Sequence, residues 1–160
     1  MFMNNLIGSV MMMVATAALV PGCGLQSCTD VGCGPALSVE FVGGQWEAGE
    51  YEITVVADGV TTTCTATLPL TSCESAVSCD RPDRGFWVMH SGCALEPAEQ
   101  RLDGLEWTGE GPAQVSVEVR RDGALLSTES VAPSYRTSYP NGEECGPACQ
   151  HADQTLTVAL

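Results

Sequence analysis

The chain has 160 residues, room for one domain and too few for two comfortable ones. It carries 20 acidic side chains against six basic ones, all arginine, and the resulting net charge of −14 repels phosphate backbones and anionic head groups, so no nucleic-acid partner is expected. Nine cysteines read as zinc ligands in a reducing compartment or as disulfides in an oxidising one, and the N-terminus decides between them.

Residues 1–22 contain no charged side chain and five of the six methionines. The apolar run from Leu6 to Val20 spans about 15 residues, short of the roughly 20 that cross a bilayer, and fits the apolar region of a signal peptide. Lys and Arg are missing ahead of it, leaving the α-amine as the positive charge. A cysteine follows at once in Val20-Pro21-Gly22-Cys23. One reading is an ordinary cleaved signal with Cys23 in a disulfide. The other starts from the resemblance of this tetrapeptide to the lipobox of bacterial lipoproteins. That resemblance implies cleavage before Cys23, a diacylglycerol on its sulfur and an acylated amine, so that the membrane is a partner through the lipid anchor. The count favours the second: nine is odd, and setting Cys23 aside leaves Cys28, Cys33, Cys64, Cys73, Cys79, Cys93, Cys145 and Cys149, which can all pair. The expected layout is a signal peptide over 1–22, a lipidated cysteine and tether over 23–35, and a β-sandwich domain over 36–160.

The Gly-rich stretch 24–35 reads as a tether with a small Cys28/Cys33 loop. Residues 36–42 alternate, with Leu37, Val39 and Phe41 on one side, which predicts a half-buried strand. Residues 51–68 predict a hairpin, because Asp58-Gly59 supplies the positive φ angles of a type I′ turn. Tyr51, Ile53 and Val55 share one face, and Val60, Thr62, Cys64, Ala66 and Leu68 share another on the return, so Cys64 points into the core. Residues 69–84 read as a polar loop, 85–90 as a short apolar strand and 101–107 as a further strand. Residues 113–131 repeat the hairpin device around Asp122-Gly123, with Val115, Val117 and Val119 on one face. Residues 132–153 read as a long loop, and 154–160 close as a strand with Leu156, Val158 and Leu160 aligned. No long 3.6-residue period is present. The fold class expected is all-β, an antiparallel sandwich, Ig-like or transthyretin-like, of about seven or eight strands. Its eight aromatics beyond residue 22 make a modest core, so disulfides at about 2–4 kcal/mol each matter.

Sequence proximity suggests the pairs Cys28–Cys33, Cys73–Cys79 and Cys145–Cys149, leaving Cys64–Cys93 to close the largest loop; this is one of about 105 connectivities. Cys145-Gly146-Pro147-Ala148-Cys149 has three residues between its cysteines, where thioredoxin-type redox chemistry needs two at a helix start, so a structural disulfide is expected. Cys145, Cys149 and His151 are three potential zinc ligands without a fourth, so no metal site is assigned. His90 ends an apolar strand and His151 lies far along the chain, thin material for a catalytic triad, and no catalytic residue is assigned. Asp80 and Asp83 lack the oxygen spacing of a calcium loop and read as pairing locally with Arg81 and Arg84, while Glu143-Glu144 reads as a solvated loop tip. No phosphate-cradling glycine motif is present, and no cofactor is called for. Trp46 and Trp107, if exposed and coplanar, would form a sugar-stacking platform; Trp87 falls in an apolar strand and reads as core.

The VPGC tetrapeptide at 20–23, GEYEITVVADG at 49–59, VRRDG at 119–123 and the ending YPNGEECGPACQHADQTLTV at 139–158 together resemble the small cysteine-rich lipoproteins of unknown function found in myxobacteria and related GC-rich bacteria. The resemblance implies an exported protein, lipid-anchored to the cell envelope, and no known activity. Gly24 after the modified cysteine, where enterobacterial sorting reads Asp as retention, implies the outer membrane. The functional expectation is a lipid-anchored binding or structural module of the envelope without catalysis, its protein or glycan partner unknown. The alternative is an adhesion or carbohydrate-binding module using exposed tryptophans or the 132–153 loop.

Overall fold

A computed structural model describes residues 28–82 and 85–160. Their strands form two five-stranded sheets. The first has the order β5-β6-β1-β10-β9 and the second β4-β3-β2-β7-β8. The strands are β1 (Leu37–Gly43), β2 (Gly49–Ala57), β3 (Val60–Leu68), β4 (Val77–Cys79), β5 (Phe86–Ser91), β6 (Arg101–Trp107), β7 (Val115–Arg121), β8 (Ala124–Val131), β9 (Arg136–Ser138) and β10 (Cys149–Val158). The inward sides meet in one core: Leu37, Val39 and Phe41 from β1 and Leu102, Leu105 and Trp107 from β6 pack with Tyr51, Ile53 and Val55 from β2 and Val115, Val117 and Val119 from β7. The protein is a disulfide-stapled β-sandwich.

Three features depart from the sequence expectation. The β4 and β9 strands are three residues each and lie in segments read as loops, and β10 begins at Cys149 rather than 154. Three residues are too few to display a period of two, so these strands exist by virtue of their neighbours. The pairing of β1 with β10 is parallel, from Leu37↔Ala152 to Gly43↔Val158. Alternation is the same in parallel and antiparallel strands, so direction was not legible from it.

The two expected turns form as expected. Asp58 and Gly59 have φ of 47° and 81°, and Asp122 and Gly123 have 51° and 81°. Aspartate does more here than tolerate the left-handed region. The Asp58 N–H donates to the Gln114 carbonyl at 3.0 Å while the Asp58 carboxylate accepts from the Gln114 N–H at 2.9 Å. Asp122 makes the same two-bond ring with Glu50, at 2.8 and 2.9 Å. Each turn thereby pins the start of the other hairpin, and β2 and β7 lie antiparallel between them. Asp80 repeats the ring with Thr63, at 3.0 and 2.9 Å, so its carboxylate holds β3 rather than pairing with Arg81. Asp83 and Arg84 lie outside the described residues.

Gly104 has φ of 152°, and a Cβ there would fall on the Val39 carbonyl, so β6 approaches β1 more closely than a side chain would allow. Asp103 is the extra residue of a bulge at this point, where the register against β5 shifts between Met89 and His90. At one edge the sheets are joined: the Ser127 hydroxyl on β8 donates to the Thr157 carbonyl at 2.8 Å. At one end, the buried Gln100 side chain accepts from the Leu70 N–H and donates to the Leu95 carbonyl, tying the loop after β3 to the loop after β5.

Tyr51 is fully buried, its ring 5.0 Å from that of Trp46, and its hydroxyl donates to the Glu47 carbonyl at 2.8 Å. Burial pushes its pKa above the ordinary phenol value, with Arg121 nearby offsetting part of the effect. Burial also raises Tyr135, with the Asp58 carboxylate adding to it. The folded state thus holds these protons more tightly than the unfolded chain, so stability is complete below about pH 10 and falls above it as the unfolded chain ionises first.

Two outcomes are expected. In urea melts, Asp122→Ala lowers stability by about 1–2 kcal/mol and Asp122→Asn by much less, since Asn keeps an acceptor for the Glu50 N–H and tolerates positive φ. Denaturation midpoints measured from pH 8 to 11 decline in the wild type above about pH 10, with a shallower decline in Tyr51→Phe.

Candidate functional site

All eight described cysteines are paired, but not as sequence proximity suggested. The bonds are Cys28–Cys145, Cys33–Cys149, Cys64–Cys79 and Cys73–Cys93. Cys28 and Cys33 do not close a loop on each other; neither do Cys145 and Cys149, nor Cys73 and Cys79, and Cys64 does not reach Cys93. The reasons are topological. Cys64 and Cys79 are direct register partners across β3 and β4. Cys73 and Cys93 lie in the loops that leave β3 and β5, so their bond ties one sheet to the other. Parallel pairing of β1 and β10 carries the segment before β1 alongside the segment before β10, and two disulfides follow from that juxtaposition. Four disulfides mark an exported protein that folds in an oxidising compartment.

The stapled lobe is organised by Asn141. Its side-chain oxygen accepts from the Val31 N–H at 2.8 Å, and its amide donates to the Val31 and Gly146 carbonyls, each at 2.9 Å. The Thr29 hydroxyl also reaches it, at 2.7 Å. Residues 28–33, read as tether, are therefore bonded directly to 141–149. Glu143 and Glu144 are exposed at the tip, as expected. Cys145 and Cys149 are consumed by their disulfides, so neither sulfur stands as a thiolate beside His151. Among the described residues no three His, Cys, Asp or Glu side chains gather into a metal-binding group. Cys23 lies outside the described residues.

Trp87, read as core, is exposed, and the condition for a Trp46/Trp107 platform is not met. Trp46 and Trp107 are core residues, 8% and 2% exposed, and Trp107 stacks on Phe86 with centroids 5.0 Å apart. Trp87 is 43% exposed on the outer side of β5. Strand alternation explains the reversal: Phe86 and Val88 take the two inward positions, which leaves Trp87 outside. The Trp46/Trp107 sugar platform does not form.

The two histidines are on different strands of the first sheet, with β6 and β1 between them. His90 pairs in register with Leu102, and its Nδ1 is buried without a partner among the described residues. A groove of about 530 Å³ runs along the outer side of the first sheet, past Glu40, Val42, Met89 and Asp103. Arg101 Nε donates to Asp103 at 2.6 Å and the Ser91 hydroxyl donates to the same oxygen at 3.1 Å, so the Arg101–Asp103 pair is internally balanced and Glu40 leaves the groove with a net negative charge. Among the described residues that line it, the groove is of mixed polar and apolar character and holds no histidine.

No protein-family model matches the chain, and no curated protein or solved structure matches it either.

The disulfide connectivity makes a stability prediction. Cys28–Cys145 and Cys33–Cys149 close loops of sequence separation 117 and 116, so either one alone removes the most unfolded-state entropy, about 5 kcal/mol on the chain-entropy estimate. They are also partly redundant: once one is closed, the other adds only a short ring. Replacing both Cys28 and Cys145 by Ser is expected to cost about 3 kcal/mol in a guanidinium melt, because the other bond still closes the long loop and only the short ring is lost, whereas removing both bonds costs about 7–8 kcal/mol. Cys64→Ser with Cys79→Ser is expected to cost about as much as the first pair alone, about 3 kcal/mol for its separation of 15.

Proposed function

We propose that this is a lipid-anchored module of the cell envelope, exported and fixed to the membrane, with a binding or structural role and no catalysis. The observation that carries the reading is the pairing of all eight other cysteines among themselves. It leaves Cys23 without a disulfide partner in its own chain, and an unpaired thiol directly after Val20-Pro21-Gly22 is the group a lipid-transfer reaction needs. Triacylation makes such an anchor firm, because each buried CH₂ contributes about 0.8 kcal/mol. The outer membrane is the destination we favour, from Gly24.

The stapled lobe supports the same reading. Cys28 is five positions after Cys23, so a lipid on Cys23 would hold the lobe within about 17 Å of the bilayer, at roughly 3.4 Å per extended residue. The domain then has a set orientation instead of swinging on a long tether. The outer groove and the separated histidines support binding over catalysis.

Metabolic labelling with an alkyne fatty acid tests the reading. The wild-type protein is expected in the membrane fraction carrying label, with an intact mass that starts at Cys23. Cys23→Ser is expected without label and out of that fraction. A soluble, unacylated wild-type protein overturns the proposal.

A further inference from the structure

An outer strand of a sheet presents unpaired backbone groups, and proteins protect such edges by shortness, charge, proline or a covering element. The outer strands here are β5 and β9 in the first sheet and β4 and β8 in the second. Two of them, β4 and β9, are three residues long. The β8 strand contains Glu129 and is met by the end of β10, where the Ala159 N–H donates to the Leu126 carbonyl at 3.4 Å. The β5 strand has the bulge in its pairing with β6 at Met89 and His90 but none of these other protections. Its six residues, Phe86-Trp87-Val88-Met89-His90-Ser91, include no carboxylate, arginine or proline. Among the described residues no other strand pairs with its outer side.

The phase of the exposed backbone follows from the register. The Thr108 N–H donates to the Gly85 carbonyl at 2.8 Å, and the next partners are Phe86↔Trp107, Trp87↔Glu106 and Val88↔Leu105. Antiparallel ladders alternate, so Trp87 turns its backbone groups towards β6 and Val88 turns its N–H and carbonyl outwards. A strand that approaches antiparallel finds Val88 at the middle of the open ladder.

We propose that β5 is a self-pairing edge: two copies of the protein join antiparallel through Phe86–Ser91, with Val88 opposite Val88, and their first sheets become one continuous sheet. Three features select a second copy as the occupant. The dyad at Val88 places an outward N–H opposite an outward carbonyl on both sides of the axis. It also sets Trp87 of each copy opposite Met89 of the other in a pair without backbone bonds, where side chains come closest. Both side chains are on the outer side of the sheet, so the exposed indole is covered by a thioether, a favourable sulfur–aromatic contact. Finally, a chain of net charge −14 repels its own copies over most of its surface, and β5 is an uncharged strip. Glu106, beside Trp87, stands back by one strand, about 4.8 Å. The inference is independent of the lipid anchor.

The test uses the full chain exported from its host cell, whether it is recovered in the membrane or the soluble fraction. A photo-crosslinking amino acid at Trp87 is expected to give a species of twice the mass, with the adduct mapped to β5 of the second copy, and the same probe at Glu129 on β8 is expected to give none. Native mass of the purified full chain then reads the register. Trp87→Glu and Met89→Lys are each expected to abolish the dimer while all four disulfides form. The double variant is expected to restore it, because residue 87 of one copy faces residue 89 of the other. Crosslinking at Trp87 to a different protein, no crosslink at all, dimers indifferent to the single variants, or a double variant that stays monomeric would each overturn the proposal.

Discussion

The parallel pairing of β1 with β10 is the contact on which the first sheet depends. It joins the beginning and the end of the domain, with seven residues of β1 in register against β10. Such a contact is entropically costly, because everything between must be gathered before it forms. Two disulfides across the same juxtaposition offset that cost by restricting the unfolded chain, and Asn141 adds hydrogen bonds between the same two segments.

The second sheet is built in the opposite way. Both of its hairpins turn on Asp-Gly, and each aspartate reaches across to the other hairpin, so β2 and β7 are aligned at both ends by side chains that belong to turns. Local chemistry therefore sets most of this sheet. Cys64–Cys79 and the Asp80–Thr63 ring then attach β4 to its edge. The Cys73–Cys93 bond and Gln100 link this self-sufficient sheet to the first one, which depends on distant partners.

The sandwich also separates its surfaces. One end carries the stapled lobe nearest the N-terminal segment, and the outer side of the first sheet carries the groove and the exposed Trp87. Acidic groups outnumber basic ones across the chain, whereas β5 itself carries no carboxylate or arginine. The Cys28 lobe precedes β1 and β10, and β6 stands between β1 and the β5 edge.

Much of the fold was legible in the sequence, because its signals are local. Alternation at Leu37, Val39 and Phe41 and at Val115, Val117 and Val119 named buried faces correctly, and Asp58-Gly59 and Asp122-Gly123 named the turns. Cys64 was placed in the core from its strand face alone. What alternation does not encode is which strands become neighbours. Cysteine partners, the direction of β1 against β10, the three-residue strands and the exposure of Trp87 all depend on that neighbourhood. Each element's pattern is a property of a few consecutive residues, whereas a disulfide or a buried ring needs two distant segments brought to one place, and only the tertiary structure decides which two meet.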